Sequence, residues 1–489
     1  MRVAFFWEHA GDFLILPVHA GNLSDMGRSW HPHPDPGLEA LLQSGDSVAL
    51  AAALPHPRIA NDPYARLRAL DQLHRLAPHS SETQHHWFQA MLLGNRPQPV
   101  WAWFKNALQA GVLDDQYLLL AAQVAQVSGE EDKARDLYLQ RIRNHPMDAD
   151  TWQKYAEFAA HHQSTHALAD QLHGLLLRAP DAYSTEKLQF ALAACLLQTD
   201  PEQAFALASA AQRLKRERLP RWRSDQVDER LRNDLRLALS CPQPRAFARP
   251  GMVFIVGMPR SGTTLLSSLL GAHSAMSNVG EQNLVPSLAM RATGNHAVPL
   301  APAFVDFANR WYGAATADLC APGTISVDKL PSNIEHCGFM LSCFPTARII
   351  HIRRETHDCA ISIHLRDFDF GCAYAMSAED IARYHAFVSD HAQRIAKLHP
   401  GRFTTVDFED LVSSPESTLE TLLGQLGLDW EPRILDFWKK KQSIATFSES
   451  QVRRPLNADG LGLARRVGDA AMDFLHRHDQ THASAFSSP

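Results

Sequence analysis

The sequence has no run of about 18 apolar residues, the length that an apolar helix needs to cross a bilayer. It also has no basic excess, because 47 lysines and arginines stand against 53 aspartates and glutamates, for a formal net charge of −6 over 489 residues. We therefore expect no membrane span and no nucleic-acid partner. This charge still leaves room for a local basic pocket that binds an anionic ligand.

Paired cysteine spacings are absent as well. The seven cysteines include no C-x-x-C pair, so we expect reduced thiols that pack in the core. The 26 histidines form no H-E-x-x-H motif, and we predict no metal site. The first residues lack the layout of a secretory leader, which together with the reduced thiols favours a cytoplasmic protein.

Residues 41–240 contain no valine-isoleucine blocks and follow a helical pattern. A period of 34 residues separates four apolar positions, namely Leu70, Phe104, Tyr138 and Leu172. Eight residues after each of them comes a turn position, occupied by Pro78, Val112, Pro146 and Pro180. The tetratricopeptide repeat has this period, and its paired helices stack into a superhelix. We interpret 41–240 as such repeats, with a generic helical bundle as the alternative, and 1–40 as an amino-terminal extension.

The pattern changes after residues 241–251, a proline-rich segment that we interpret as a linker. Short strands separated by helical stretches are expected at 252–256, 324–328, 347–353 and 403–408. Strands that alternate with helices form parallel sheets. We therefore predict a chain of class α plus α/β, in which residues 252–480 form a P-loop-like α/β domain with a central parallel sheet.

The segment VFIVGMPRSGTT, residues 253–264, has the order strand, glycine loop, helix. Gly257, Gly262 and Thr264 keep the frame of the phosphate-binding motif G-x-x-x-x-G-K-[ST], but Thr263 stands where that motif has lysine. Backbone N–H groups at the start of the helix would bind an anion. Without the lysine that reaches a γ-phosphate, a kinase is disfavoured, and a donor with one 5′-phosphate and one transferable group fits better. The alternative is a glycine-rich turn that binds nothing.

The residues GMPRSGTTL resemble the 5′-phosphosulfate loop of sulfotransferases that use 3′-phosphoadenosine 5′-phosphosulfate. The resemblance covers most of residues 250–467 and is strongest to the bacterial tetratricopeptide-repeat sulfotransferases and their relatives, the tyrosylprotein sulfotransferases. It implies that this co-substrate is bound by the loop residues Arg260, Ser261, Gly262, Thr263 and Thr264.

The resemblance also implies a site for the 3′-phosphate of the donor after a later strand, at Arg354, Ser362 and Arg366. Ser362 and Arg366 share one helix face at i, i+4, and guanidinium and hydroxyl groups suit a phosphate. Arg353 is the competing arginine, and a solvated basic helix is the alternative without a ligand.

A late loop of the family closes over the nucleotide, and the resemblance assigns that role to Ser448 and to Arg453 or Arg454. Two departures from the family pattern accompany these assignments. His357 stands where an arginine is common, and Phe408 stands where the family often has a tyrosine.

Transfer of a sulfuryl group to a hydroxyl needs an in-line acceptor, a group that takes its proton, and positive charge at the leaving oxygen. The resemblance implies Glu281 as the general base, and Lys329 with Arg260 as the cations at the leaving group. The alternatives are a helix-capping or surface glutamate, a solvated loop lysine, and His273 as the base. No metal is required by this mechanism.

We therefore expect a sulfotransferase. Repeat superhelices present concave surfaces to peptides, so a tyrosine of a protein or peptide is the expected acceptor. A small-molecule or glycan hydroxyl is the alternative acceptor, and a catalytically inactive repeat scaffold is the alternative function. The repeats are expected to hold either the acceptor or a second copy of the chain in a homodimer.

Overall fold

The computed structural model describes residues 36–485, apart from 61, 79–80, 163–164, 242–250, 294–298, 369, 440–451 and 459. Most of the predicted amino-terminal extension and all but the two ends of the predicted linker therefore lie outside the described residues. Among the described helices, none is both long and apolar enough to cross a membrane.

The first half of the chain is helical. Its α-helices are α1 (Pro36–Ser44), α2 (Ser47–Ala53), α3 (Pro57–Ala60), α4 (Pro63–Leu76), α5 (Ser81–Leu93), α6 (Pro97–Gln109), α7 (Leu118–Val127), α8 (Glu131–Asn144), α9 (Ala149–His162), α10 (His166–Leu176), α11 (Ala182–Leu196), α12 (Pro201–Arg218) and α13 (Ser224–Ser240). Aspartates start several of them. Asp62 and Asp200 accept backbone N–H groups of α4 and α12, and each is followed by a proline at the first helical position.

The 34-residue period corresponds to a repeated structural position. Its four apolar residues lie in α4, α6, α8 and α10, every second helix, and at most 1% of the surface of each is exposed: Leu70, Phe104, Tyr138 and Leu172. The four turn positions follow the ends of these helices. A regular array of helix pairs therefore underlies the period, and its assignment to the tetratricopeptide class stays a prediction.

The second half contains a five-stranded sheet in the order β2-β3-β1-β4-β5, with every neighbouring pair parallel. The strands are β1 (Met252–Gly257), β2 (Met276–Gly280), β3 (Ile325–Lys329), β4 (Arg348–Arg353) and β5 (Phe403–Asp407). Four of them match the predicted strands to within a residue at each end. β2 was not predicted, because it is a short edge strand whose Ser277 and Asn278 interrupt the apolar pattern.

The helices of the second half are α14 (Thr263–Gly271), α15 (Leu284–Thr293), α16 (Pro302–Thr316), α17 (Cys337–Cys343), α18 (Thr356–His364), α19 (Ala378–Leu398), α20 (Phe408–Ser413), α21 (Pro415–Gln425), α22 (Leu463–Val467) and α23 (Met472–Ala485). From the central β1 the chain runs first to β2 and β3 on one side and then to β4 and β5 on the other. In open parallel sheets this reversal leaves a crevice at the carboxyl ends of the strands, where ligands bind.

The two halves share one core. Phe205 of α12 and Val227 and Leu231 of α13 belong to the same buried cluster as Phe254 of β1 and Ile349 of β4. The predicted domain division at residues 241–251 stays a prediction, but residues of both halves pack in the same hydrophobic core. The seven cysteines are free thiols, and most of them are buried in these cores.

Candidate functional site

Two glycines shape the loop between β1 and α14. Gly257 has φ +152°, and a Cβ atom there would lie 2.5 Å from the carbonyl oxygen of Ile352. Gly262 has φ +104°, and its Cβ atom would lie 2.4 Å from Cδ2 of Phe408. Arg260, between them, has φ +66° although it is not a glycine, and such strained conformations cluster at functional sites. The loop backbone therefore has little freedom.

The guanidinium of Arg260 reaches across to α18. Its Nε donates to Oγ of Ser362 at 3.1 Å, and these two residues are 102 positions apart in the chain. Nη1 of Arg354 donates to the backbone carbonyl of Arg260 at 2.9 Å. The glycine loop and the arginine–serine segment, to which the family resemblance assigned two phosphates of one donor, thus lie side by side.

The electrostatics of this cluster favour an anionic ligand. Burial, and then the positive charges of Arg366 and Arg354, lower the pKa of Arg260 well below its ordinary value. Burial also lowers the pKa of Arg366. Guanidinium groups that repel one another in a half-buried site are stabilised when a polyanion binds among them.

The structure distinguishes the two adjacent arginines. Arg353 is exposed, and its Nε lies 2.6 Å from Oδ1 of Asp407 in an ion pair. Arg354 is buried, with 7% of its surface exposed, and donates to the backbone carbonyl of Gly460. Its guanidinium lies 5.1 Å from the centroid of the Phe408 ring. Of the two candidates, Arg354 is the one at the loop, and Phe408 contributes a cation–π contact where a tyrosine was expected.

The candidate base and cation form an ion pair. Lys329 is the last residue of β3 and pairs in register with Ile255 of β1, which places it beside the loop. Its ammonium contacts Oε1 of Glu281, the residue that follows Gly280 at the end of β2. The Lys329 side chain is buried, whereas about a third of the Glu281 side chain is exposed, at 31%. The carboxylate is therefore open to an approaching acceptor.

The chain reaches Glu281 from the loop through the short helix α14, which ends at Gly271, and the edge strand β2. His273, the other base considered, is buried and lies 3.0 Å from the backbone carbonyl of Asp429 through its Nε2. Glu281, and not His273, therefore lies next to Lys329.

Asp328, the residue before Lys329, connects the end of β3 to α16. It is buried, and burial raises its pKa from 3.8 to about 7. The hydroxyl of Tyr312 on α16 donates to its Oδ2 at 2.7 Å. Burial, followed by the charge of Asp328, raises the pKa of Tyr312 well above its ordinary value. This hydrogen bond fixes the strand residue next to Lys329.

Other residues predicted to bind the co-substrate lie in the loop, at the start of α14, and outside the described residues. Ser261 is buried, and its hydroxyl donates to the carbonyl of Met258 at 2.7 Å within the loop, while Thr263 and Thr264 are buried at the start of α14. Ser448 lies outside the described residues. Its predicted role stays a prediction.

Arg453 contacts the helical half of the chain. Its Nη2 donates to the backbone carbonyls of Gln126 at 3.1 Å and Val127 at 3.4 Å, at the carboxyl end of α7. A helix carboxyl end attracts a cation, which explains this contact. The assignment of Arg453 to the nucleotide stays a prediction.

Sequence reasoning missed Asp358. Its carboxylate accepts the backbone N–H groups of Gly462 at 2.7 Å and Ala464 at 2.8 Å, and it lies 3.8 Å from Nη2 of Arg354. It thereby connects α18 to the start of α22, next to the basic cluster formed by Arg260, Arg354 and Arg366. The only signal in the sequence was its i, i+4 spacing from Arg354.

Among the described residues, one group has donor atoms close enough to hold a metal ion, namely His357, His478 and Asp479, whose candidate ligand atoms lie within 4.8 Å of one another. Oδ1 of Asp479 lies 2.7 Å from Nε2 of His357 and 3.4 Å from Nδ1 of His478. An aspartate that accepts hydrogen bonds from two histidines explains this geometry without a metal.

At the carboxyl edge of its open parallel sheet, the α/β domain carries a basic loop and a lysine–glutamate pair, an arrangement suited to an anionic ligand. Residues 250–432 of this domain match the model of the sulfotransferase family. Over these residues the chain is thus similar to the sulfotransferase family.

Two known proteins are similar to part of this chain. An uncharacterised protein of Aquifex aeolicus (strain VF5) is 31% identical over 230 residues, which cover 44% of this chain and 30% of that protein. Protein-tyrosine sulfotransferase 2 of Gallus gallus is 23% identical over 250 residues, which cover 46% of this chain and 66% of the relative. The chain therefore spans less than two thirds of the length of either relative.

A similar solved structure is the sulfotransferase domain from the curacin biosynthetic pathway. It has a TM-score of 0.34 and 18% sequence identity, and the match covers 49% of this chain and 98% of that domain.

Proposed function

We propose that the chain is a sulfotransferase that transfers a sulfuryl group from 3′-phosphoadenosine 5′-phosphosulfate to an acceptor hydroxyl. The observation that carries this proposal is the hydrogen bond between Arg260 and Ser362, which joins the glycine loop and the arginine–serine segment into one basic site. The family of residues 250–432 supports the reaction class. The similarity to a protein-tyrosine sulfotransferase supports a tyrosine as the acceptor.

In this proposal the two ends of the donor occupy two parts of the basic site. The 5′-phosphosulfate lies in the loop, where the backbone N–H groups at the start of α14 and the guanidinium of Arg260 bind anions. The 3′-phosphate lies at Arg354, Ser362 and Arg366. A donor that carries both groups accounts for the three adjacent guanidiniums better than a single phosphate does.

The reaction is an in-line displacement at sulfur. The acceptor oxygen attacks as its proton passes to Glu281, an oxygen–sulfur bond forms, and the bond between sulfur and the bridging oxygen breaks. Lys329 and Arg260 stabilise the negative charge that develops on the bridging oxygen, which leaves as part of adenosine 3′,5′-bisphosphate. The ion pair of Lys329 with Glu281 keeps base and cation adjacent, as a single displacement step requires.

The proposed acceptor is a tyrosine of a protein or peptide. A phenol has a pKa near 10, so a positioned carboxylate base assists its attack at neutral pH. The partly exposed Glu281 side chain is accessible to such a residue. The array of helix pairs is the proposed surface for the rest of the peptide.

Glu281→Gln tests the role of the base. We expect turnover of tyrosine peptides with labelled donor to fall by roughly 10²- to 10⁴-fold, because the variant cannot accept the proton. The Kd for adenosine 3′,5′-bisphosphate, measured by isothermal titration calorimetry, is expected to stay unchanged.

Glu416→Gln is the matched control, since that glutamate is exposed and lies in the first turn of α21. It should leave turnover unchanged. Full turnover by Glu281→Gln would refute the role of Glu281, and failure of the wild-type chain to bind the bisphosphate would refute the donor.

A further inference from the structure

The turn that follows α18 is held by the helical half of the chain. Nε2 of Gln212 on α12 donates to the backbone carbonyls of His364 at 2.9 Å and Arg366 at 3.1 Å. Oγ of Ser209, on the same helix, lies 3.1 Å from Nε2 of His364. The backbone around Arg366 is therefore positioned by α12 and not by the sheet alone.

Asp367, the next residue, is the centre of this contact. Its side chain is fully buried and forms ion pairs with Lys187 of α11 and Lys215 of α12. Nε2 of Gln153 on α9 also donates to its Oδ2, at 3.0 Å. Burial opposes ionisation, but the charges of Lys187 and Lys215 outweigh it and hold the pKa of Asp367 well below its ordinary value.

A buried cluster of ion pairs fixes the positions of the groups around it more than it stabilises the fold. The desolvation of buried charges offsets most of their mutual attraction, so a buried ion pair is weak as a source of folding free energy. Removal of one partner, however, leaves an uncompensated charge and displaces the groups around it. Here the groups around Asp367 are Arg366 and the last turn of α18, which carries Ser362.

We infer that Asp367 is a positioning residue, held by Lys187 and Lys215 so that Ser362 and Arg366 face the 3′-phosphate of the donor. The helical half of the chain is then part of the donor site, in addition to any contact with the acceptor. This inference rests on the proposed function, because it takes Ser362 and Arg366 as ligands of that phosphate.

The test compares two nucleotides that differ only in the 3′-phosphate. The Kd values for adenosine 3′,5′-bisphosphate and adenosine 5′-monophosphate are measured by isothermal titration calorimetry, and their ratio reports recognition of the 3′-phosphate. Asp367→Asn and Lys187→Met should each lower the wild-type preference for the bisphosphate about tenfold, roughly the effect of one charged hydrogen bond. The Kd for the monophosphate should stay unchanged.

Asp234→Asn is the matched control. Asp234 is also a buried carboxylate between the two halves, and it accepts the backbone N–H groups of Gly338 at 2.6 Å and Phe339 at 2.8 Å on α17. Its substitution should lower the melting temperature but leave the ratio of the two Kd values at the wild-type level. A merely structural role of Asp367 would make its variants behave in the same way.

Each outcome decides the question. Folded variants of Asp367 and Lys187 with the wild-type ratio would overturn the positioning role. If Asp367→Asn does not fold, Gln153→Leu, which removes one neutral donor, should still lower the ratio at least about twofold, and an unchanged ratio would overturn the role. A wild-type chain without preference for the bisphosphate would refute the 3′-phosphate site itself, and the inference with it.

Discussion

Gly262 and Phe408 show how tightly the loop is packed at the scale of single residues. Gly262 has φ +104° and packs against the Phe408 ring. This position therefore needs a residue that adopts positive φ and has no Cβ atom. Phe408 in turn lies under the guanidinium of Arg354. One aromatic ring thus supports both the loop and the arginine proposed to bind the 3′-phosphate.

Gly262→Ala is expected to destabilise the fold by more than about 1 kcal/mol, because the methyl group meets the Phe408 ring and the backbone conformation is strained. It should also weaken binding of adenosine 3′,5′-bisphosphate. Thermal denaturation and calorimetry measure the two effects.

Gly313→Ala is the control for this prediction. Gly313 lies in α16, and a Cβ atom there would have no neighbour within 4 Å. Removal of a helical glycine should stabilise the chain by roughly 0.5–1 kcal/mol. Equal behaviour of the two alanine variants would contradict the role of Gly262.

At the scale of elements, α22 depends on a contact from outside itself. It has only 5 residues, too few for a stable isolated helix. Asp358 of α18 accepts its first backbone N–H groups, and Gly460 just before it accepts a hydrogen bond from Arg354. Tertiary contacts therefore form this helix and bring its amino end to the basic cluster.

Asp358→Ala should loosen this segment locally. Loss of the charged hydrogen bonds costs about 1.5–3 kcal/mol, which corresponds to roughly 10- to 100-fold faster amide exchange at Gly462 and Ala464. Hydrogen exchange followed by mass spectrometry measures it. Asp225→Ala, which removes an exposed ion pair with Arg223, should leave exchange in 460–467 unchanged. Unchanged exchange in Asp358→Ala would show that α22 does not need the cap.

At the scale of the whole molecule, polar contacts reinforce the common core. Arg96 in the turn before α6 donates from its Nε to Oδ2 of Asp318 at 2.7 Å, and Asn95 donates to the carbonyl of Val279 in β2 at 2.9 Å. Asp367, in the turn after α18, forms ion pairs with α11 and α12. The helical half thus makes polar contacts with the second half at two separate places, near β2 and after α18.

We therefore expect the two halves to unfold together. Differential scanning calorimetry of the full chain should show one transition, with equal calorimetric and van't Hoff enthalpies. A fragment of residues 252–489 should lack a cooperative transition, because it exposes the core surface that α12 and α13 cover. Two separate transitions in the full chain, or a cooperatively folded fragment, would contradict this expectation.

Much of the fold was accessible from local patterns. Short runs of β-branched or aromatic residues predicted four strands, and of these β1 and β3 are buried over almost their whole length. The 34-residue period located four apolar positions that are all buried. β2 was not predicted, because Ser277 and Asn278 interrupt the apolar pattern of this short edge strand. In the site, the structure brings Glu281 into contact with Lys329, and the catalytic roles of both residues stay predictions.

By itself the sequence determined the strand–loop–helix unit around Gly257 and Gly262, since glycine spacing and strand composition act over a few neighbouring residues. The tertiary structure alone decided which contacts form between distant positions. It paired Glu281 with Lys329 across 48 residues and Arg260 with Ser362 across 102. It also placed Asp367 against Lys187, 180 residues earlier in the chain. Such contacts arise when separate elements pack together, and no local pattern specifies which charged side chains then meet.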